Sequence, residues 1–215
     1  MFVKDQMSPH PVTITPGSSI VAAERVMKEN NVRHVPVVSP TGALVGLLTR
    51  TALEEVLPSK LTTLSVYELN YQLEKIAVRE AMIRQVITVT EDVPIEQAAR
   101  LMFDKKIGCL PVMRGNRLVG IITDTDLMRT MLDLLGARQP GVRLTIKIPD
   151  QPGELAKITA AIAAEQGDIN ALGVVAGDEP LTWWVVLKVR FLEQEHVVNV
   201  IKGIPGIQLV DARED

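Results

Sequence analysis

The spacing of apolar and polar positions changes repeatedly along the first part of the chain. The runs PVTIT (11–15), VRHVPVV (32–38) and LVGLLT (44–49) are β-branched or aliphatic and predict short strands. The run SSIVAAERVMKEN (18–30) spaces its apolar residues helically, and a further helix is predicted after residue 49. That first helix is expected to bury one face and to be capped by a serine: Ile20, Ala23 and Met27, with Ser18 or Ser19 as N-cap.

The same order of elements recurs about 75 residues later. With one residue removed from a turn, positions 3–53 and 78–127 align with sixteen identical pairs. The shared segments are VKDQM with VREAM, VPVV with LPVM, and LVGLLTRTAL with LVGIITDTDL. In the second copy VITVT (86–90) is the first strand and Pro94 opens the helix. Tight turns are predicted at Pro40-Thr41-Gly42 and Arg114-Gly115-Asn116. The chain therefore contains two βαββα units.

The segments between and after the copies mark the domain organisation. Residues 61–76 predict a linking helix with an apolar stripe at Leu64, Leu69, Leu73 and Ile76. Gly136 and the run Gln139-Pro140-Gly141 end the helix of the second copy. We therefore expect a first repeat at 1–60, the linking helix at 61–76, a second repeat at 77–137 and a different domain at 142–215.

From residue 142 the pattern predicts a different fold. VRLTIKI alternates as a half-buried strand, and DQPGELAKITAAIAAEQG (150–167) predicts a turn and a helix with Leu155, Ile158 and Ile162 on one face. Two strands, a helix and a last strand follow: DINALGVVAG, LTWWVVLKVRF, EQEHVVNVIKGI and GIQLVDA. Trp183 and Trp184 are adjacent on a strand and so face opposite sides. This order is βαββαβ, the ferredoxin-like arrangement, so the whole chain is of the mixed α/β (α+β) class.

Composition and charge exclude several classes of function. The chain has 215 residues, 47% of them hydrophobic and 3% aromatic, with a formal net charge of −3. Its lysines and arginines are scattered, so a nucleic-acid partner is not expected. The start MFVKDQM has no apolar signal region and no stretch is long enough to span a membrane, which predicts a cytoplasmic protein without a membrane partner.

No arrangement of residues in the sequence indicates catalysis. His10, His34 and His196 lie in separate segments without metal-ligand spacing, and no phosphate-binding glycine loop or nucleophile motif occurs. The single cysteine, Cys109, lies in the apolar run IGCLPVM and is interpreted as a small buried hydrophobe. We therefore expect neither an enzyme, nor a bound metal, nor a catalytic cofactor.

The two copies differ at the junction between their last strand and helix. GLLTRTA (46–52) ends on Ala52, whereas GIITDTD (120–126) ends on Asp126. Thr49 and Thr123 stand where a strand leads into a helix N-terminus, where unpaired N–H groups and the dipole favour anions and hydroxyl groups. From the residues alone Asp126 is either a ligand-binding acceptor or a solvated acid favoured by the dipole.

The repeated unit resembles a CBS domain, on the strength of VKDQM and VREAM, VPVV and LPVM, and the G-h-h-T-x-x-D/A run. Two in tandem resemble the CBS pair called a Bateman module. The resemblance implies that an adenine nucleotide (AMP, ADP or ATP) or S-adenosylmethionine lies in a cleft between the repeats, with Asp126 accepting hydrogen bonds from the ribose hydroxyls. It further implies contacts from these residues: Thr123, Thr125, Ile121, Val32, Arg33 and His34.

The roles of Arg33 and His34 at this site stay open. Arg33 is the first candidate for a phosphate partner and His34 the second, yet both are equally consistent with exposed residues at a strand end. Their counterparts Gly108 and Cys109 carry no charge. Since Ala52 cannot accept a hydrogen bond through its side chain, the sequence predicts one competent nucleotide site in each chain.

The C-terminal region resembles an ACT domain, through the DQPGELAKI turn followed by GDIN. This resemblance implies a site for a small effector such as an amino acid, at Asp150, Gly153, Glu154 and Leu155, with Asn170 opposite across a dimer interface. The alternative is that these residues only shape a turn and that the domain serves dimerisation. Two CBS units followed by one ACT unit are similar to acetoin-utilisation proteins of the AcuB type.

Together these features predict a non-catalytic regulatory sensor. It would bind an adenine nucleotide at the CBS pair, form a homodimer and control a partner protein whose identity the sequence does not give. The alternative is a constitutive dimerisation scaffold that binds no ligand.

Overall fold

A computed structural model describes residues 1–56 and 73–214 of the chain. These residues form two compact units, Met1–Leu127 and Met128–Asp215. The division falls inside a helix, so the residues after Leu127 group with the C-terminal unit. Most of the predicted linking helix, residues 61–72 with Leu64 and Leu69, lies outside the described residues. Residues 73–75 are helical, and Leu73 is buried as predicted.

Each repeat has two main helices and a β-hairpin, and the first unit contains both repeats except for the end of the last helix. The first repeat comprises α1 (Val3–Gln6), β1 (Ser8–Pro9), α2 (Ile20–Glu29), β2 (His34–Val38), β3 (Leu44–Thr49) and α3 (Arg50–Val56). The second comprises α4 (Val78–Ala81), β4 (Val89–Thr90), α5 (Ile95–Lys105), β5 (Cys109–Arg114), β6 (Arg117–Thr123) and α6 (Asp124–Leu134).

The strands predicted at 11–15 and 86–90 are much shorter than expected. Only Ile14 forms a bridge in the first run, to Val37, and only Val89–Thr90 is a strand in the second. Each contributes a short parallel pairing beside its antiparallel hairpin. Few ladder positions are available there because the chain turns directly towards the following helix.

Helices α2 and α5 form where their sequence patterns predict them. Ser19, rather than Ser18, caps α2, with its hydroxyl accepting from Ala22 N at 3.2 Å. The buried face of α2 is Ile20, Ala23 and Met27, as predicted. Pro94 is the N-cap of α5 and not its first helical residue, so the prediction was one position off.

The opening segment of each repeat packs against the other repeat. Val3 lies in the core of the second repeat with Ile95, Leu110 and Ile122, and Val3 N donates to Val93 O at 2.9 Å. β1 pairs with β6 in the second repeat. Conversely, Val78 lies in the first repeat's core, and Ile83 bridges to Leu47. The repeats therefore exchange their first segments, which the sequence pattern did not indicate.

This exchange explains why VKDQM and VREAM have the same form. The buried valine anchors the segment, and the acid two residues later accepts from a backbone N–H: Phe2 N donates to Asp5 at 2.8 Å, and Ala77 N to Glu80 at 3.0 Å. Each closing methionine lies over a glycine of the opposite repeat, Met7 over Gly120 and Met82 over Gly46. A side chain at either glycine would collide with the methionine sulfur.

The second unit is a four-stranded antiparallel sheet. Its elements are β7 (Val142–Pro149), α7 (Glu154–Ala164), β8 (Asp168–Ala176), β9 (Thr182–Arg190), α8 (Gln194–Lys202) and β10 (Gln208–Glu214), and the strand order is β10-β7-β9-β8. This is the predicted ferredoxin-like βαββαβ arrangement. Alternate residues of β7 are buried, as the pattern predicts.

One predicted face in this unit is wrong. α7 buries Glu154, Ile158 and Ile162, whereas Leu155 is 37% exposed. The helix begins at Glu154, and the four-residue spacing of its buried face runs from Glu154 through Ile158 to Ile162. A carboxylate therefore occupies a place where the sequence predicted an aliphatic side chain.

The two tryptophans and a buried lysine lie on the same strand of this sheet. Trp183 packs against the main core, while Trp184 lies 5.7 Å from the Lys147 ammonium group, so the two rings face opposite ways as predicted. Lys188 is only 2% exposed and donates to Gly136 O at 3.2 Å. This buried hydrogen bond holds the segment after α6 against the sheet.

Candidate functional site

The junction between β6 and α6 is a capping box. Thr123 N donates to Asp126 Oδ2 at 2.9 Å, and the Thr123 hydroxyl donates to the same oxygen at 2.8 Å. The second half of the box is a longer hydrogen bond, in which Asp126 N donates to Thr123 Oγ1 at 3.4 Å. These reciprocal bonds satisfy the first donors of the helix and fix the carboxylate at its N-terminus.

Asp126 is 5% exposed, which contradicts the interpretation of a solvated surface acid. The structural role that competes with ligand binding is instead helix capping. Helix capping does not by itself exclude ligand binding, because one carboxylate can accept several hydrogen bonds at once.

The first repeat has half of the same arrangement. Ala52 N donates to Thr49 Oγ1 at 3.1 Å, but the side chain at position 52 has no oxygen to accept from Thr49 N. Thr49 faces His34 in the β2–β3 ladder, as Thr123 faces Cys109 in the β5–β6 ladder. The two junctions are therefore equivalent in position, and the first repeat lacks the carboxylate that completes the capping box.

A cavity of about 280 Å³ lies beside Thr49, between residues of the two repeats. An apolar wall that includes Ile83, Val86 and Ile107 lines it, together with the hydroxyls of Thr49 and Thr51. His34, Gln85 and Lys106 add nitrogen-bearing side chains. Sequence reasoning did not single out Gln85 or Lys106, because neither belongs to a segment that the two repeats share.

Of the remaining residues predicted for the nucleotide site, Arg33, His34 and Ile121 lie where the two repeats meet. Arg33 is exposed, and its Nη2 is 3.8 Å from Asp124 Oδ1. Gly108 lies beside the imidazole of His34. Ile121 is buried in a cluster with Leu47 and Cys109 that joins the repeats. Val32 and Thr125 lie apart from this cluster: Val32 packs against the first repeat's core, and Thr125 N donates to Asp124 Oδ1 at 2.7 Å.

Two titratable groups in this region are shifted by burial. Burial lowers the pKa of His34, against an opposing effect from Asp124. Burial, with a smaller contribution from Asp124, raises the pKa of the Cys109 thiol to about 12. The thiol is therefore protonated at neutral pH and unsuited to nucleophilic chemistry, in agreement with its predicted role as a buried hydrophobe.

The second unit has a cavity of about 300 Å³ at the N-terminus of α7. Four of the five residues predicted to bind an effector line it: Asp150, Gly153, Glu154 and Leu155. Val174 and Trp183 complete one wall. Asn170 is not among the lining residues, and its amide donates to Gln139 Oε1 at 2.8 Å.

Glu154 is the unusual group in this cavity. Its side chain is 5% exposed, and Oε1 accepts from Lys157 Nζ at 2.6 Å. Among the described residues Oε2 has no hydrogen-bond partner. The N-cap of α7 is Gly153, with φ of 95°, and a glycine has no side chain with which to cap the helix. A buried carboxylate oxygen thus lies beside the donor end of a helix.

The described ranges contain neither a metal cluster nor a membrane-spanning helix. Residues 1–56 and 73–214 contain no group of three or more His, Cys, Asp or Glu side chains placed to hold a metal ion. In the same part of the chain, no helix combines the length and apolar character that crossing a bilayer requires.

Comparison with known proteins gives the same two repeats. The CBS domain family matches residues 3–59 and 78–133. Over 129 residues the chain is 35% identical to the homoserine O-acetyltransferase of Methanohalobium evestigatum, a match covering 60% of this chain and 24% of that protein. The chain thus spans about a quarter of that relative's length.

Three solved structures share the fold of this region. A Vibrio cholerae protein described as a candidate acetoin utilization protein, AcuB, is 29% identical, with a TM-score of 0.53 over 65% of this chain and 96% of that one. A CBS pair in complex with 5′-methylthioadenosine and S-adenosyl-L-methionine is 29% identical, with a TM-score of 0.52 over 65% and 98%. CBSX2 in complex with AMP is 26% identical, with a TM-score of 0.51 over 61% and 96%.

These relatives share the paired arrangement of repeats, and the last two bind adenosine compounds. The chain therefore belongs to the CBS-domain family, with its two CBS domains at residues 3–59 and 78–133.

Proposed function

We propose that the CBS pair is a non-catalytic regulatory sensor that binds one adenosine ligand at Asp126. The observation that carries the proposal is the buried carboxylate of Asp126, fixed by Thr123, where the first repeat has Ala52. The complexes of related CBS pairs with AMP, S-adenosylmethionine and methylthioadenosine support adenosine as the common part of the ligand.

The chemistry of ribose explains why a fixed carboxylate suits this ligand. The 2′ and 3′ hydroxyls are two adjacent donors, and an ionised carboxylate only accepts hydrogen bonds. Because Thr123 already holds Asp126 in place, little side-chain entropy is lost when the ribose binds. Charge-assisted bonds of this kind are stronger than neutral ones.

Replacing Asp126 with asparagine tests the proposal. Asparagine can still accept from Thr123 N, so the helix cap persists, but the charge is lost. We expect the affinity for adenosine ligands to fall about tenfold or more, because hydrogen bonds to charged groups contribute about 1.5–3 kcal/mol. Titration calorimetry with AMP, ADP, ATP and S-adenosylmethionine measures the change.

The matched control is Asp133→Asn, the same change at an exposed position of α6. It should leave affinity unchanged. If the wild-type protein binds none of these compounds, and none of them raises its melting temperature, the alternative of a ligand-free dimerisation scaffold is favoured. Equal binding by wild type and Asp126→Asn would instead place the ligand elsewhere.

The output of such a sensor requires a partner that distinguishes the bound state from the free state. The similarity to the Vibrio cholerae AcuB candidate supports acetoin utilisation as the regulated pathway. A homodimer acting on a target protein in the cytoplasm is part of the same proposal.

We further propose that the C-terminal unit is an ACT-type domain that binds an amino acid at the turn before α7. The observation that favours it is the Glu154 Oε2 atom, buried and without a partner among the described residues, in the cavity at the helix N-terminus. Helix N–H groups suit the α-carboxylate of an amino acid, and Glu154 suits its ammonium group. Asn170 would contribute from a second copy.

Glu154→Gln tests this second site. The change keeps the size of the side chain and removes the charge that would pair with an ammonium group, so we expect affinity for the bound amino acid to fall about tenfold. Thermal shifts with the common L-amino acids measure binding. Glu195→Gln, an exposed acid in the first turn of α8, is the control. A wild-type protein that no amino acid stabilises would favour a purely structural turn.

A further inference from the structure

The two pseudo-equivalent clefts of the CBS pair carry different charges at the same point of the fold. Arg50 follows Thr49, and Asp124 follows Thr123. Their backbones are held alike: Arg50 N donates to Arg33 O at 2.8 Å, and Asp124 N donates to Gly108 O at 3.0 Å. The repeat therefore provides its own comparison, with a cation in one copy and a carboxylate in the other.

The Asp124 carboxylate lies where the two repeats meet. Its Oδ1 is 3.8 Å from Arg33 Nη2, and its Oδ2 is 3.5 Å from the point where a β-carbon on Gly108 would lie. The imidazole Nε2 of His34 is 3.3 Å from the same point. Asp124 thus stands beside both residues that sequence reasoning assigned to a ligand phosphate.

This placement changes what Arg33 can offer a ligand. Its positive charge is already partly balanced by Asp124, although both side chains are more than half exposed and water weakens the pair. Burial keeps the pKa of His34 low, so the imidazole adds little positive charge near neutral pH. Asp124 and Asp126 both lie in the first turn of α6, and Arg33 is the cation beside Asp124.

The Thr49 side has the opposite character. Lys106 and His34 line its cavity, and neither Asp nor Glu is among the described residues that line it. The residue that corresponds to Lys106 on the Asp126 side is Asn31, which is neutral. Negative charge therefore accumulates on the side that has the ribose acceptor.

The known ligands of CBS pairs differ at the position these charges would face. AMP, ATP, S-adenosylmethionine and methylthioadenosine share adenosine and differ only in the substituent on the 5′ carbon. A phosphate monoester brings about two negative charges. The methylthio group is neutral, and the sulfonium of S-adenosylmethionine is a fixed positive charge.

We propose, on the basis of the function proposed above, that the Asp126 cleft selects adenosine ligands whose 5′ substituent is neutral or positively charged. Asp124 is the specificity residue: it repels phosphates and attracts a sulfonium. AMP and ATP are the disfavoured members of the same ligand class.

Titration calorimetry at low ionic strength with the four compounds tests the selection. The wild-type protein binds S-adenosylmethionine and methylthioadenosine more tightly than AMP or ATP. In Asp124→Asn the affinity for S-adenosylmethionine falls and that for AMP rises, each by about two- to fivefold, the range expected for a partly exposed charge. Methylthioadenosine is unaffected. Asp124→Arg, which copies Arg50, shifts the preference further towards phosphates.

Several outcomes overturn the selection. Tighter binding of AMP or ATP by the wild-type protein contradicts it directly. An equal change for all four ligands in Asp124→Asn shows that Asp124 acts through the helix and not through charge. Asp104→Asn, an exposed acid on α5, controls for net charge and changes no affinity. Failure of all four compounds to bind wild type overturns the proposed adenosine site itself, a result distinct from loss of selectivity.

Discussion

Replacing Val3 with aspartate is expected to destabilise the protein by about 3–5 kcal/mol, because it places an unpaired charge in a packed core. Val3 is fully buried, and its neighbours Ile95, Leu110 and Ile122 belong to the second repeat. The loss of protection should therefore appear far from the substitution along the chain. Hydrogen exchange should accelerate first in Cys109–Arg114 and Arg117–Thr123.

Val12→Asp is the matched control for this experiment. Val12 is 36% exposed in the same N-terminal region, so the same chemical change there should alter stability by no more than about 0.5 kcal/mol. If Val3→Asp instead deprotects His34–Val38 while Cys109–Arg114 stays protected, the exchange of segments between repeats is contradicted.

Replacing Ala52 with aspartate is expected to create a second adenosine site. The new carboxylate can accept from Thr49 N and complete the capping box that Thr49 begins with Ala52 N. An acid at this helix position stabilises by about 0.3–1 kcal/mol. Titration calorimetry should then give two ligands in each chain instead of one.

The nature of the second ligand is itself informative. Because Lys106 lines the Thr49 cavity, the new site should favour AMP or ATP. Ala52→Asn, which can cap the helix without charge, is the control and should raise the melting temperature without adding a strong site. A more stable Ala52→Asp protein that still binds one ligand would show that the carboxylate alone does not make a site.

Much of the fold could be predicted because its local patterns agree with its tertiary contacts. The helical spacing of Ile20, Ala23 and Met27 gave the buried face of α2, and the alternation in VRLTIKI gave the exposure pattern of β7. Such periodicities show which side of a helix or strand faces water. They predict burial correctly when each face of the element has a uniform environment. The order βαββαβ followed from the same reasoning.

The errors lie where tertiary contacts override local pattern. Leu155 was predicted to be buried because its helical spacing places it on one face with Ile158 and Ile162, yet Glu154 takes that place. The strand predicted at 11–15 keeps a single bridge, at Ile14. In both places the chain changes direction. The orientation of the residues after such a turn depends on contacts with parts of the chain that are distant in sequence.

The candidate site could be predicted in part. The sequence identified Thr123 and Asp126 because the repeated motif has an acid at position 126 where the first copy has Ala52, and the structure shows a hydrogen bond between the two side chains. It did not identify Asp124 as a neighbour of Arg33, since 91 positions separate them and only folding brings them to 3.8 Å. Whether these residues bind a ligand remains a proposal.

By itself the sequence determined that the chain holds two copies of one unit and a third region, and that one copy lacks a carboxylate. Periodicity and repetition are local properties, so they can be read along the chain. Only the tertiary structure decided that the copies exchange their first segments, with Val3 and Val78 each in the other repeat's core. The physical reason is that a buried valine gains the same free energy from any apolar core, and which core it reaches depends on the path of the whole chain.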